Sequence, residues 1–299
     1  MELERALAMV PGAFLIWQAL HGWPQLAFGR QVARVGNGGS EPRWAFPLLQ
    51  ALYVSPLLVP VWVAGLVALV REETLRAARP FAVAYGLLFV LLLAVGGKPY
   101  YLAGLYPVLL AAGAVAAVRW ARQGRVRGPA LGAVLVANVV IVAWLMLPLV
   151  DERSLPGSPQ VAVSPLPAET VGWPELVGTL AAVDRALPPG PRAHAVVLTR
   201  SYGEAGAVEL LGPRVGLPPA YSGHNSYGDW GPPPESVTTV VAVGYDEATL
   251  RRWFADVRVV GRVDNAVGLP NEARDAPVAV ASARRAPWAV LWPQLRHLA

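Results

Sequence analysis

Residues 131–150 read LGAVLVANVVIVAWLMLPLV, and this stretch decides the fold of the N-terminal half of the chain. It has no charged side chain over 20 residues, and Asn138 is its one amide. An α-helix rises about 1.5 Å per residue and the hydrocarbon core of a bilayer is about 30 Å thick, so this length suffices to cross it. The stretch therefore predicts a transmembrane helix.

Three further uncharged runs lie upstream and predict the same structure. With residues 131–150 they place transmembrane spans near residues 46–70, 81–97, 100–118 and 131–150. Pro47, Pro56 and Pro60 are expected to kink the first span. The apolar residues 6–20 follow Glu2, Glu4 and Arg5, which do not form the basic segment of a signal peptide, and no small-residue cleavage site is clear. We interpret them as the partial end of another membrane helix rather than a signal peptide.

The distribution of charge predicts the orientation of these spans. Residues 1–150 hold 12 basic and 5 acidic residues, whereas residues 151–299 hold 13 and 15. Arginines are concentrated between the first two spans and again after the third, at Arg119, Arg122, Arg125 and Arg127. The positive-inside rule makes both connectors cytoplasmic, so the Lys98 turn and everything after Asp151 are expected outside. The excess of charge thus indicates membrane topology rather than nucleic-acid binding.

Composition excludes several classes of protein. Hydrophobic residues make up 55% of the chain and charged residues only 15%, which excludes disorder, a coiled coil and a highly solvated enzyme. With no cysteine, the chain has no disulfide or thiolate chemistry. The four histidines are scattered and no nucleotide, zinc or serine-hydrolase motif occurs, so we expect neither a metal nor a cofactor.

The sequence pattern of residues 151–299 predicts a small soluble α/β domain with a largely parallel sheet. Hydrophobic periodicity there alternates between the helical and the strand pattern. The predicted helices are Glu175–Leu187, Glu204–Leu211, Glu247–Phe254 behind an Asp246 cap, and Trp288–Leu298. The predicted strands are His194–Thr199, Val237–Val243, Val257–Val263 and Val278–Ala283. The expected architecture is a multi-pass helical membrane region of about four spans (1–150) followed by this extracytoplasmic domain (151–299).

Two groups of residues are candidates for chemistry. Lys98, the only lysine, is followed by Tyr100 and Tyr101 between two predicted spans, where an ammonium and two phenols could hold a lipid phosphate. The alternative is a lysine that reaches the membrane surface within an aromatic belt. The small residues that follow Tyr101, at 103–104 and 111–117, predict close helix packing.

The second group is a glycine-rich segment of the soluble domain. Glu204, His224, Asn225, Tyr227 and Trp230 are residue types that stack on sugars or bond to hydroxyls, and Glu204 with His224 could form an acid/base pair. The alternative is a loop that packs onto its own domain with Trp230 as its anchor.

Three segments together resemble bacterial glycosyltransferase family 39, whose members are relatives of the dolichyl-phosphate-mannose protein mannosyltransferases. They are HGWPQLAF (21–28), GGKPYYLAGLYPVLLAAGAV (96–115) and SYGEAGAVELLGPRVGLPPAYSGHNSYGDWG (201–231). The resemblance implies a polytopic enzyme of the bacterial inner membrane that moves a sugar from a polyprenyl-phosphate carrier to a glycan, lipid or protein acceptor outside. It implies contact between Lys98 and the carrier phosphate, beside Tyr100 and Tyr101.

The resemblance also implies an absence. Members of this family carry catalytic carboxylates as an acidic pair in the first outer loop, whereas here Glu41 is the one carboxylate between residues 6–20 and the first complete span. The chain therefore resembles a truncated member, and an in-frame extension upstream of Met1 is expected. The alternative is a non-catalytic fragment, or an assembly subunit that binds the carrier lipid. A transporter has less support, because no predicted span contains a charged residue.

The predicted topology is testable with reporter fusions in a bacterial host. A phosphatase reporter, active only outside the cytoplasm, is expected to be active when fused at Asp151 and inactive when fused in the 71–79 or 119–127 connectors. A cytoplasmic fluorescent reporter at the same three positions should give the reverse pattern. The opposite assignment at these positions would contradict the orientation.

Overall fold

The fold is described from a computed structural model, which describes residues 12–35, 42–147, 149–163 and 166–298. The chain forms two compact units, one ending at Leu147 and one beginning at Pro148. The first unit is helical. Residues 12–20 are helical, and residues 6–11 of the predicted partial helix lie outside the described residues.

Six further helices follow in this unit. They are α1 (Pro24–Val35), α2 (Ala45–Val54), α3 (Val59–Arg71), α4 (Arg79–Val95), α5 (Tyr106–Arg122) and α6 (Arg127–Met146). Short 3₁₀ helices at Pro56–Leu58, Glu73–Ala78 and Pro99–Leu105 extend the N-terminal ends of α3, α4 and α5. Helix α1 was not predicted from the sequence.

Three of these helical segments are long and apolar enough to cross a membrane: Glu73–Val95, Pro99–Arg122 and Arg127–Met146. A fourth becomes possible if the bent pair Ala45–Val54 and Pro56–Arg71 forms one span. The α6 helix buries none of its side chains in the protein, and Val136 and Val139 are each 65% exposed. An apolar surface of this extent is rare on a soluble monomer. The membrane character predicted from hydropathy is thus supported for these segments.

The first predicted span is not one continuous helix. It breaks at Ser55, where α2 and the segment from Pro56 meet at 93°. Pro56 disfavours helical geometry at the residue before it, and Ser55 has a positive φ of 98°. The buried Ser55 hydroxyl donates a hydrogen bond to the Asn138 side chain on α6. The expected kink is therefore a full break with a polar contact of its own.

Backbone contact between α3 and α5 organises the helical unit. Gly65 on α3 faces Leu109 and Gly113 on α5, and a Cβ at either glycine would overlap the backbone of the other helix. Small residues allow this close approach, as the 111–117 segment predicted. The surrounding buried apolar side chains are Phe46, Leu69, Ala82, Tyr85, Leu102, Tyr106, Leu109 and Ala112.

The second unit is a three-layer α/β structure. Its helices are α7 (Pro159–Val163), α8 (Leu166–Glu169), α9 (Trp173–Arg185), α10 (Pro189–Ala193), α11 (Tyr202–Leu211), α12 (Glu247–Trp253) and α13 (Trp288–Leu295). Its strands are β1 (Ala195–Thr199), β2 (Ala220–Ser222), β3 (Thr239–Val243), β4 (Phe254–Arg262) and β5 (Pro277–Arg284). Each helix and strand predicted from periodicity is confirmed, with ends shifted by a few residues, and the Asp246 side chain accepts the Thr249 amide as predicted. The short strand β2 was not predicted.

The sheet separates two apolar cores. Alternate residues of β1 face opposite sides: Val196 and Leu198 join α12 and α13, whereas Ala195 and Val197 join α9 and α11. A strand buried on both faces must be apolar at every position, which is why 195–198 is a continuous apolar run.

The expectation of a largely parallel sheet is wrong. The strand order is β2-β1-β3-β5-β4, in which β1 pairs parallel with β2 and β3, and β5 pairs antiparallel with β3 and β4. The connection from β4 to β5 contains no helix among the described residues, so it lacks the crossover that a parallel pairing requires. The sheet is therefore mixed.

We expect Gly113→Ala to destabilise the helical unit by about 1–3 kcal/mol, because the added methyl group would overlap the α3 backbone. Thermal unfolding of the detergent-solubilised full chain should show a lower midpoint. Gly132→Ala on α6 is the matched control, since a Cβ there has no neighbour within 4 Å. Its midpoint should stay unchanged or rise, because alanine favours helix over glycine. Equal midpoints for the two variants would contradict the backbone contact.

Candidate functional site

The Lys98 turn lies between α4 and the 3₁₀ helix that leads into α5. Gly96 ends α4 with a left-handed φ of 73°, a conformation that glycine adopts without a steric penalty. Pro99 begins the 3₁₀ helix at Pro99–Leu105, where its missing amide costs nothing. Lys98 is held between these two fixed points and is partly buried.

A chain of buried polar groups holds this turn against the other helices. The Gln50 side-chain amide on α2 donates to the Pro99 carbonyl at 2.9 Å, and the Tyr106 hydroxyl donates to the Gln50 oxygen. The Tyr85 hydroxyl on α4 lies 3.4 Å from that of Tyr106. Because Gln50 is only 1% exposed, it fixes the position of the turn rather than binding solvent.

Two cations line one small recess at this end of the unit. Arg43 precedes α2 and Lys98 precedes Pro99, and the recess between them has an apolar floor of Phe46, Leu92 and Leu93. The acidic residues described in this unit are Glu72 and Glu73, and both form ion pairs with arginines near the far end of α4. Within the described residues, the recess therefore carries positive charge that no carboxylate compensates.

An aromatic groove lies on the other side of Pro99. Its volume is about 310 Å³, and Tyr53, Tyr100, Ala103 and Tyr106 are among its lining residues. The Tyr53 and Tyr100 rings meet edge to face at 6.0 Å, and Tyr101 packs against Tyr100 at 5.1 Å. Tyr100 and Tyr101 are each nearly half exposed. Neither predicted phenol is among the residues that line the cationic recess, and of the two only Tyr100 lines the aromatic groove.

The second unit contains a separate cleft of about 300 Å³ at the carboxyl ends of its parallel strands. The loop after β1 supplies Ser201 and Glu204, and the loop after β2 supplies His224. The chain passes from β1 to its neighbour β2 and then to β3 on the other side of β1. Ligands of open α/β sheets bind where the strand order reverses in this way. The topology thus places these side chains where open α/β sheets bind their ligands.

Glu204 is buried at the base of this cleft. It completes a capping box at the start of α11, because its carboxylate accepts the Ser201 amide at 2.8 Å and the Ser201 hydroxyl accepts the Glu204 amide. Gly244 has a φ of 80°, and a Cβ there would lie 2.8 Å from a Glu204 oxygen. Burial raises the pKa of Glu204 to about 7, although its hydrogen bonds to backbone amides oppose the shift.

His224 presents an unpaired nitrogen within the unit. Its Nδ1 accepts the Tyr202 amide at 3.3 Å, which assigns the proton of the neutral ring to Nε2. Nε2 is buried and has no hydrogen-bond partner among the described residues. Burial lowers the pKa of His224 to about 4, and the charges of His297 and Arg200 lower it further. The ring is therefore neutral at physiological pH.

Aromatic and acidic residues from distant parts of the chain complete the cleft. Trp173 begins α9 and Tyr202 begins α11, and the Tyr202 ring lies 4.8 Å from that of His224. Glu169 and Glu272 also line the cleft, and the Glu272 backbone amide donates to the Glu169 carboxylate. Tyr202 lies within the glycine-rich segment 201–231. Glu169, Trp173 and Glu272 were not singled out from the sequence, because they lie about 30 or more residues away from Glu204.

The structure brings together only part of the predicted sugar-binding set. Glu204 and His224 line the cleft, whereas Asn225, Tyr227 and Trp230 are not among its lining residues. The Tyr227 hydroxyl donates to Glu209, and the Tyr227 and Trp230 rings lie 4.3 Å apart. Tyr227 and Trp230 therefore lie together beside α11, whereas the Asn225 backbone amide donates to the His297 carbonyl.

The alternative interpretation expected Trp230 to anchor this loop. That expectation is wrong, because Trp230 is 70% exposed. The anchor is Trp292 on α13, whose buried indole donates to the Gly228 carbonyl at 2.9 Å. Arg296 also pairs with Asp229, and the His297 amide donates to the Gly223 carbonyl. The closing helix, rather than the loop's own tryptophan, therefore holds the loop in place.

Arg43 and Gln50 were missed at the Lys98 turn. Gln50 had a signal in the sequence, because it is an amide within a predicted membrane span. Arg43 lies 55 residues before Lys98, and only the fold brings the two cations to one recess. Among the described residues, no three histidine or acidic side chains are grouped so that they could hold a metal ion.

A comparison of this chain with family models, with curated proteins and with solved structures finds no match. The resemblance to glycosyltransferase family 39 therefore stays a prediction from the quoted segments.

Unfolding of the α/β unit is expected to lower the pKa of Glu204 and to raise the pKa of His224. Between pH 4.5 and about 7 the folded unit holds the Glu204 proton more tightly than the unfolded chain, so this residue lowers stability as pH rises. Between about pH 4 and 6.5 the folded unit binds the His224 proton less tightly, so this residue raises stability as pH rises. The two effects oppose each other in the wild-type protein.

Relative to the wild type, Glu204→Gln should therefore become more stable as pH rises from 4.5 to about 7. His224→Asn should become less stable relative to the wild type as pH rises from about 4 to 6.5. Urea unfolding of the full chain in detergent, followed by pulse proteolysis of the α/β unit, measures both differences. If the difference in unfolding free energy between variant and wild type changes with pH in the same direction for both variants, the assigned environments are contradicted.

Proposed function

We propose that this chain is part of a membrane glycosyltransferase of the family 39 type. In this proposal it moves a sugar from a polyprenyl-phosphate donor to an acceptor on the outer face of the bacterial inner membrane. The observation that carries the proposal is the recess of Arg43 and Lys98, two cations without a described carboxylate partner at the end of candidate membrane spans. A lipid phosphate at headgroup depth has the charge and position to fill it.

The aromatic groove supports the same ligand. It adjoins the recess through Pro99, which lines both, so a phosphate between the cations would leave the attached chain beside Tyr53, Tyr100 and Tyr106. Prenyl chains are apolar, and aromatic side chains favour contact with them over water. In the proposed role, Lys98 and Arg43 bind the carrier phosphate and stabilise the charge that develops on it as the sugar leaves.

The proposal also places the α/β unit outside the cytoplasm. The arginines at 71–79 and 119–127 lie at the other ends of α4 and α5 from the Lys98 turn. If those arginines are cytoplasmic, the recess faces outward, where lipid-linked sugars are transferred in this class of enzyme. The α/β unit would then share the compartment of the acceptor.

A carrier-lipid-binding subunit without activity is the second candidate. It is favoured by one observation: Glu72 and Glu73, the carboxylates described in the helical unit, are paired with arginines a full helix length from Lys98. Sugar transfer needs a general base for the acceptor hydroxyl. The described part of this unit offers two cations for a phosphate but no carboxylate beside them to act as a base.

Lys98→Ala and Arg43→Ala are each expected to weaken binding of undecaprenyl phosphate by roughly 10- to 100-fold, the worth of one charge-assisted hydrogen bond. Native mass spectrometry of the detergent-purified full chain measures this binding. Arg122→Ala is the matched control, because it removes one positive charge at the C-terminal end of α5. Its affinity should stay within about twofold of the wild type, since the charge lies more than a Debye length from the recess.

Transfer of radiolabelled hexose from a polyprenyl-phosphate donor, assayed in membranes, then separates the two candidates. Lipid binding with transfer that Lys98→Ala abolishes supports the enzyme, whereas lipid binding without transfer supports the subunit. Wild-type binding by both recess variants would overturn the phosphate site, and with it both candidates.

A further inference from the structure

The cleft of the α/β unit, defined by Trp173, Ser201, Tyr202, Glu204 and His224, presents chemistry that the proposed transfer reaction does not use. We propose that this cleft binds a single pyranose that carries no negative charge. This inference stands on the geometry of the α/β unit alone and does not depend on sugar transfer at the membrane.

The walls of the cleft suit the faces of a sugar ring. Trp173 and Tyr202 are aromatic, partly exposed, and border the same space. Aromatic rings bury apolar ring faces while leaving the edges of a ligand free to form hydrogen bonds. Gly203 lies against the Trp173 ring, since a Cβ there would be 3.2 Å from it. The missing side chain keeps the space beside the indole open.

The polar groups of the cleft match hydroxyl groups, which both donate and accept hydrogen bonds. The buried carboxylate of Glu204 is an acceptor, and the Nε2–H of His224 is a donor without a partner in the described part of the unit. A buried unpaired donor costs free energy, so a ligand oxygen that reaches it gains affinity. A hydroxyl group can serve as the partner of either side chain, whereas a purely apolar ligand can serve neither.

The charge of the cleft determines which sugars fit. Glu169, Glu204 and Glu272 line it, and its lining includes no lysine or arginine. The carboxylates of Glu169 and Glu272 repel a phosphate or a uronic acid group, and no lining cation offsets them. The sugar is therefore neutral or carries an amine.

The size of the cleft limits the ligand to one ring. Its volume of about 300 Å³ is at the lower end of the range of about 300–1,000 Å³ for small-molecule pockets. Longer glycans would extend past Tyr202, which is half exposed at the edge.

The test uses the full chain in detergent and ligand-observed saturation-transfer NMR, with no lipid donor present. The probes are the methyl glycosides of mannose, glucose and galactose, with glucosamine, glucuronate and glucose 6-phosphate. We expect at least one neutral or amine-bearing sugar to bind, and both anionic sugars to bind at least about tenfold more weakly. Equal binding of the anionic sugars, or binding of none of the probes, would overturn the proposal.

Three variants locate the site. His224→Asn and Tyr202→Ala should each weaken binding by about tenfold or more, the effect of losing one hydrogen bond or one stacking face. Tyr202→Phe should restore binding, since it keeps the ring, and this rescue distinguishes a contact from a folding defect. Trp230→Ala is the control, because its ring is exposed and does not line the cleft. Loss of binding in Trp230→Ala with retention in Tyr202→Ala would move the sugar site to the exposed loop surface and overturn the assignment.

Discussion

The close approach of α3 and α5 is the contact on which the helical unit depends. Gly65 and Gly113 let the two backbones touch. Any larger residue at either position would overlap the backbone of the other helix. The break at Ser55 then turns α2 away from the line of α3, so that Gln50 reaches the Pro99 carbonyl. The position of Lys98 thus follows from two glycines more than ten residues distant in the chain.

Much of this fold could be predicted from local sequence patterns, because both hydropathy and periodicity are local properties. The uncharged runs located the apolar segments, and the alternating runs located the elements of the α/β unit. The direction in which a helix or strand runs depends on tertiary contacts rather than on the local sequence. This explains the two main errors of the prediction. A hydropathy window that includes Ser55 and Pro56 registers an apolar segment but not its 93° bend. Likewise, the apolar run of β5 does not reveal that it returns antiparallel to β3.

The candidate sites divide in the same way. Lys98 was recognisable because it is the only lysine in an uncharged setting, and Glu204 and His224 because they lie in a polar, glycine-rich segment. Their partners were not recognisable. Arg43, Trp173 and Glu272 reach these sites only through the fold, and each belongs to a segment without a motif. Trp230 shows the converse: its residue type suggested an anchor, but the buried contact is made by Trp292 from the other end of the unit.

The bond between Ser55 and Asn138 has a consequence for how α6 tolerates change. This helix buries no side chain in the protein, so exchanging one of its apolar residues for another is expected to disturb little packing. Asn138 is different, because its side-chain oxygen accepts the hydrogen bond of the buried Ser55 hydroxyl at the break between α2 and the segment from Pro56. The sequence of α6 can therefore vary along its exposed apolar surface, whereas position 138 is restricted to a side chain that accepts this hydrogen bond.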